Sequence, residues 1–272
     1  LELDDMRDWD DAFNNMAHVQ GSDALPGFWA ARAADYRCGP ARVDEDIPYG
    51  GSERETFDLV WPDAAPKGLV VFVHGGFWMR LDKSYWTDLA EGARAQGWAV
   101  CIPSYTLTPA ARVSDITGQI SAAIESAAKL IGGPIRLAGH SAGGHLVTRM
   151  ICQNSPLTPE TLARIEKTMS ISGLHDLRPL LHTVMNDTLQ LTEAEAIAES
   201  PVLMRPVAEA NVIAYVGGAE RPEFIRQARL LSLMWDGLDA RMSIEIEPHR
   251  DHFTILEGLK QSNSPICRML TN

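Results

Sequence analysis

Short apolar runs alternate with longer amphipathic stretches along most of this chain. Runs at 68–73, 98–103, 135–138, 168–172, 212–216 and 242–247 read as strands buried on both faces. Between them, apolar residues recur at helical spacing. Ile116, Ile120, Ala123, Ile124, Ala127 and Ile131 form one stripe, and Leu146, Val147, Met150 and Ile151 a second. Phe224, Ala228, Leu231 and Trp235 form a third, with Pro222 suited to its first turn. Residues 9–38 read as helical and carry Trp9, Phe13, Phe28 and Trp29; a strand pair at 41–47 and 54–61 follows Gly39-Pro40. The stretch 155–206, interrupted by Pro156, Pro159, Pro179, Pro201 and Pro206, predicts a partly helical, cap-like insertion. No repeat or flexible linker divides the chain, so 1–272 reads as one domain. Strand alternating with helix predicts an α/β architecture, a mostly parallel sheet with helices on both faces. Ligands of such sheets bind beyond the carboxyl ends of the strands.

Charge and composition narrow the partners. The 272 residues carry a formal charge of −12, which disfavours a nucleic acid or an anionic membrane surface. The chain starts with Glu2, Asp4, Asp5, Asp8, Asp10 and Asp11, where a secretory signal would be basic and then apolar. The four cysteines, Cys38, Cys101, Cys152 and Cys267, are widely spaced. They read as buried thiols of a reducing compartment rather than a disulfide framework. A cytoplasmic protein acting on a small molecule is the expectation, and a homodimer stays open.

The chemistry concentrates in Gly139-His140-Ser141-Ala142-Gly143, a G-x-S-x-G pentapeptide between an apolar run and an amphipathic stretch. That context is a nucleophile elbow, a strand-to-helix turn so tight that small residues must flank the serine. A serine hydroxyl is a poor nucleophile until a base takes its proton, and the base is usually a histidine oriented by a carboxylate. At such an elbow the chain order is serine, acid, histidine. Of eight histidines, only His249 and His252 follow the last apolar run, and His252 directly precedes a renewed apolar pattern at 253–259. His252 is the expected base and His249 a solvated loop residue. Their H-x-x-H spacing lacks the third ligand that a metal site needs, so neither metal nor cofactor is expected. Glu220 is the first carboxylate after the run at 212–216 and the expected acid, with Glu223 and Asp236 as alternatives. Glu223 also suits a helix N-terminus.

The reaction would also need donors for a developing oxyanion. The backbone N–H of Ala142 is one. Gly75 and Gly76, in the His74-Gly75-Gly76-Phe77-Trp78 segment after the first core run, let backbone approach a substrate closely and supply the others. Phe77 and Trp78 lie where an aromatic substrate could stack, whereas Trp86 reads as packing. His74, His140 and His145 read as structural braces of these loops.

These residues together resemble kynurenine formamidase (arylformamidase) and its relatives among the α/β-hydrolases. HGGFW at 74–78 is similar to the family's HGGYW. GHSAGGH at 139–145 is similar to its elbow, and GGAERPEFIRQ at 217–227 to its acid loop. Asp251-His252-Phe253 is similar to its base loop. Residues 172–177, Asn186-Asp187, Ser200-Pro201, the N-terminal helical region and 48–50 extend the likeness over nearly the whole chain. Glu220 stands where the family's aspartate is expected, and Phe77 where a tyrosine is usual. The resemblance implies an α/β-hydrolase fold and a cofactor-independent serine hydrolase acting on N-formyl-L-kynurenine or a similar aryl formamide. A carboxylesterase or thioesterase on small acyl esters is the alternative, and a non-catalytic ligand-binding homologue a third reading.

Overall fold

The computed structural model describes residues 7–272; Glu2, Asp4 and Asp5 of the acidic start lie outside the described residues. The strands are β1 Val43–Pro48, β2 Thr56–Val60, β3 Leu69–Val73, β4 Ala99–Pro103, β5 Ile135–His140, β6 Ile165–Ile171, β7 Asn211–Gly217 and β8 Arg241–Glu247. The helices are α1 Trp9–Phe13, α2 Leu25–Arg37, α3 Glu91–Ala95, α4 Val113–Leu130, α5 Ala142–Arg149, α6 Pro159–Ala163, α7 Asn186–Leu189, α8 Glu193–Ala198, α9 Pro222–Trp235 and α10 Pro265–Thr271. The strands form one eight-stranded sheet in the order β1-β2-β4-β3-β5-β6-β7-β8. β1 and β2 run antiparallel at one edge; the pairings from β4 through β8 are parallel.

The side-chain alternation of β3 shows how both faces are covered. Leu69, Val71 and Val73 enter one core with the α4 stripe, Leu146, Val147 and Phe224. Val70 and Phe72 enter the opposite core with Trp29, Trp86, Leu259 and Ile266. Each fully buried aliphatic side chain stabilises by about 1.5–3 kcal/mol, so β3, buried at all five positions, is a central strand for energetic reasons. β8 differs. As an edge strand it alternates in exposure rather than reading as a continuous apolar run.

Several further expectations change. The helical reading of 9–38 breaks into α1, two single 3-10 turns at Met16–His18 and Ser22–Ala24, and α2, because Gly21 takes φ 76° and Pro26 starts a new helix. The proline-rich stretch 155–206 contains β6, a strand inside the sheet, which splits it into a short part with α6 before the strand and a longer segment after it. The apolar pattern at 253–259 folds as 3-10 turns over Thr254–Lys260. Of the cysteines, Cys101, Cys152 and Cys267 are buried, but Cys38 is exposed because it ends α2 as its C-cap. No helix among the described residues is long and apolar enough to cross a membrane.

Candidate active site

The carboxyl ends of β3, β5, β6 and β7 and the loop after β8 build the site. β5 ends at His140 and α5 begins at Ala142, leaving Ser141 alone to make the turn. Ser141 takes φ 55° and ψ −117°, a strained conformation for a residue with a side chain. Its amide is fixed by donating to the Ile171 carbonyl at 2.8 Å. The turn closes because its flanks lack Cβ atoms. A Cβ on Gly139 would sit 2.1 Å from the Gly143 oxygen, and one on Gly143 would sit 2.0 Å from the Val73 oxygen. Ala142 is the first residue of α5, so its N–H has no helical partner and stays free to receive an acceptor.

The loops that carry Glu220 and His252 are stitched together by backbone. Gly218 N donates to the Glu247 carbonyl at 2.8 Å and Ala219 N to the Arg250 carbonyl at 2.9 Å. Asp251 Oδ1 accepts from the amides of Phe253 and Thr254, both at 2.9 Å, which holds the turn carrying His252. The two side chains meet there: His252 Nδ1 lies 2.7 Å from Glu220 Oε2. The carboxylate accepts, so Nδ1 carries the proton and Nε2 is left as the nitrogen able to take one. Glu220 Oε1 is occupied by Ser172 Oγ at 2.5 Å and by Gly217 N at 2.8 Å. Both side chains are almost wholly buried, which strengthens the contact relative to one in water. The imidazole of His252 packs between Phe224, at 4.4 Å, and His140, at 4.5 Å between centroids.

The alternative acids stand elsewhere. Glu223 is buried but accepts from Arg7, Arg226 and Gln227. Asp236 is exposed beyond the end of α9. His249 is exposed with φ 64°. Among the described residues, no group of three or more His, Cys, Asp or Glu is arranged to hold a metal ion.

The histidines outside the Glu220 contact brace loops. His140 Nε2 donates to the His252 carbonyl at 2.8 Å, and burial holds its imidazole well below the usual histidine range. His74 donates to the Gly75 carbonyl at 2.7 Å and stacks on Tyr105 at 4.3 Å; burial lowers its pKa to about 4. His145 donates to the Glu199 carbonyl at 2.7 Å, and burial lowers it to about 3. Each therefore stays neutral at pH 7 and serves as a fixed donor.

A cavity of about 440 Å³ opens over Ser141 and His252, a size that suits a small ligand. Gly75, Gly76 and Phe77 line it from the loop after β3. A Cβ on Gly75 would stand 2.9 Å from the Ser141 Cβ, so the loop lies directly against the serine. Gly76 needs φ 110° and leaves no room for a side chain, since the Arg80 carbonyl would be 2.4 Å from its Cβ. The two tryptophan expectations reverse. Trp78 is fully buried and meets the His145 ring edge-on at 5.1 Å; it does not line the cavity. Trp86, read as packing, does, together with Trp29 from α2. Phe77 and Trp78 occupy consecutive left-handed positions, φ 51° and 56°, and the chain reverses so sharply that only Phe77 reaches the cavity.

Sequence reasoning missed Ser172 and the outer cavity wall. Ser172 directly follows β6 at the same sheet edge as Ser141 and takes φ 52°; a polar residue closing an apolar run, in the 172–177 stretch of family likeness, was its signal. Met16, Val184 and Met185 come from segments with no motif, brought over the site by tertiary packing.

Comparison with known proteins agrees with this architecture. A model of the alpha/beta hydrolase family matches residues 70–261. Kynurenine formamidase from Danio rerio is 28% identical over 236 residues, which span 83% of this chain and 80% of that protein. The kynurenine formamidase of Drosophila melanogaster is 26% identical over 82% of this chain and 79% of its own. A solved Silicibacter sp. structure with a provisional thioesterase designation superposes with a TM-score of 0.90 at 46% identity, covering 98% of this chain and all of that one. Esterase B from Lactobacillus rhamnosis, inhibited by a tributyrin phosphonate, shares the fold at a TM-score of 0.67 and 18% identity, over 92% of this chain and 91% of its own. The chain belongs to the alpha/beta hydrolase family and is a hydrolase.

Proposed function

We propose that this hydrolase works through a serine nucleophile and cleaves a small aryl formamide of the N-formyl-L-kynurenine kind. The observation that carries the reading is the 2.7 Å contact of Glu220 with His252 on the wall of the cavity that Ser141 also lines. His252 Nε2 takes the Ser141 proton as Oγ bonds to the formyl carbon. The oxyanion that forms is held by the N–H groups of Ala142, Gly75 and Gly76. Collapse breaks the C–N bond, and His252 returns the proton to the departing arylamine. Water then attacks the formyl-enzyme, giving its proton to His252. Formate leaves, and Ser141 recovers its hydrogen. Glu220 holds the imidazole in the tautomer this needs. Phe77, Trp29 and Trp86 offer aromatic surface to an aryl group.

The formamide assignment is supported by the relatives named kynurenine formamidase. Carboxylesterase or thioesterase activity is the second reading, favoured by the thioesterase designation of the 46% identical structure. The test compares kcat/KM for N-formyl-L-kynurenine with that for p-nitrophenyl acetate, with Ser141→Ala as control. Strong preference for the formamide, lost in the control, supports the first reading. Ester turnover alone, lost in the control, supports the second. A fluorophosphonate that fails to label Ser141 in the wild-type protein favours a ligand-binding role without catalysis.

A further inference from the structure

The cavity wall carries one cationic side chain, Arg80, among the described residues that line it. Arg80 is exposed, lines the cavity from the loop after β3, and has no ion-pair or side-chain hydrogen-bond partner among the described residues. Its neighbours are tied down: Asp82 accepts from the Ser84 amide and hydroxyl, and Arg54 donates to the carbonyls of Tyr105 and Leu81. The loop that presents Arg80 is unusual backbone. Gly76, Phe77, Trp78 and Leu81 all have positive φ, and Met79 N folds back to donate to the Gly76 carbonyl at 3.0 Å. Left-handed non-glycine residues are strained and persist where the surroundings over-determine them. The same fold-back that brings Gly75 and Gly76 against Ser141 thus fixes where Arg80 stands.

The other charged group at the cavity outside the hydrolytic cluster, Asp10, already accepts from the Val184 amide at 2.8 Å, joining α1 to the segment after β6. Arg80 is therefore the one unpaired cation on this wall among the described residues, and its planar fork matches a carboxylate. The net charge of −12 opposes anions at long range, but that field is screened within about 8 Å at physiological salt. The local cation decides what enters.

We infer that Arg80 is a specificity-determining residue that binds a free carboxylate on the substrate. The inference rests on the hydrolytic reading of the same cavity and narrows it to anionic, carboxylate-bearing aryl substrates.

The test separates binding from catalysis. Calorimetry on Ser141→Ala protein compares hydrocinnamate with its neutral isostere hydrocinnamamide, and repeats the pair in Ser141→Ala proteins that also carry Arg80→Gln or Arg80→Lys. The expected result is a preference for the carboxylate of about tenfold or more, abolished by Arg80→Gln and partly kept by Arg80→Lys. Equal or tighter binding of the amide, no measurable binding of hydrocinnamate, or a preference that survives Arg80→Gln overturns the proposal. Full hydrolysis by Ser141→Ala protein that still shows the Arg80-dependent preference would sink the serine mechanism and leave the carboxylate site standing.

Discussion

Ser172 Oγ donates to Glu220 Oε1 across 2.5 Å, on the carboxylate oxygen that does not face His252. One oxygen is thereby held by Ser172 and the Gly217 amide, and the other is aimed at the imidazole. In the proposed mechanism Ser172 would position Glu220. Its replacement by alanine removes a hydrogen bond to a charged acceptor, worth about 1.5–3 kcal/mol. We expect kcat to fall about tenfold to a hundredfold with KM nearly unchanged. Steady-state kinetics on a soluble, folded variant checks this; a change confined to KM would contradict it.

Glu220→Gln and Glu223→Gln should fail in different ways. The first removes the carboxylate that fixes the His252 tautomer, and kcat should drop by about 10⁴ with the unfolding midpoint little changed. The second strips the buried acceptor shared by Arg7, Arg226 and Gln227. It should cost about 1–3 kcal/mol of stability while leaving most of the turnover. Parallel urea unfolding and kinetics on both variants distinguish the roles, and the reverse pattern would move the acid to Glu223.

Behind the elbow, Arg149 on α5 pairs with Glu199 at 3.0 Å, both side chains less than a tenth exposed. Thr117 Oγ1 donates to the same carboxylate at 2.8 Å. Arg149→Met leaves Glu199 buried without its countercharge and should destabilise by about 3–5 kcal/mol. Adding Glu199→Leu removes the orphaned charge and should recover part of that loss. Equilibrium urea denaturation of the single and double variants measures the difference; a double variant no more stable than the single one would argue against a buried-charge penalty.

Acid should unfold this protein from near-neutral pH downward. His74, at about 4, and His145 and His175, at about 3, are held neutral by burial below the free value of 6.5, and His140 is lowered in the same direction. In the unfolded chain these imidazoles take up protons that the folded state refuses. The stability they confer is therefore complete above about pH 6.5 and is lost as pH falls toward 4 and 3. Each contributes a slope of about 1 kcal/mol per pH unit in that window. Urea midpoints measured from pH 7 to pH 4 should fall steeply. His145→Gln should flatten the curve, and a pH-independent midpoint would refute the idea.

The sequence by itself determined the core of the sheet and singled out the candidate site residues. Apolar runs located β3 through β7 within a few residues, because a strand covered on both faces has little choice but Val, Ile, Leu and Ala. The elbow was legible because only glycine fits at 139 and 143, against backbone atoms close to 2 Å away. Ser141, Glu220 and His252 could be named because each follows a strand on the same sheet edge. Tertiary structure alone decided which carboxylate meets His252, since Glu220 and Glu223 are separated by less than one helical turn and only the loop pairing with 247–250 places one of them there. It also decided which tryptophan faces the cavity. Left-handed turns at Phe77 and Trp78 overrule any side-chain periodicity, and α1, α2 and the segment around Met185 reach the site through long-range packing that no local pattern encodes.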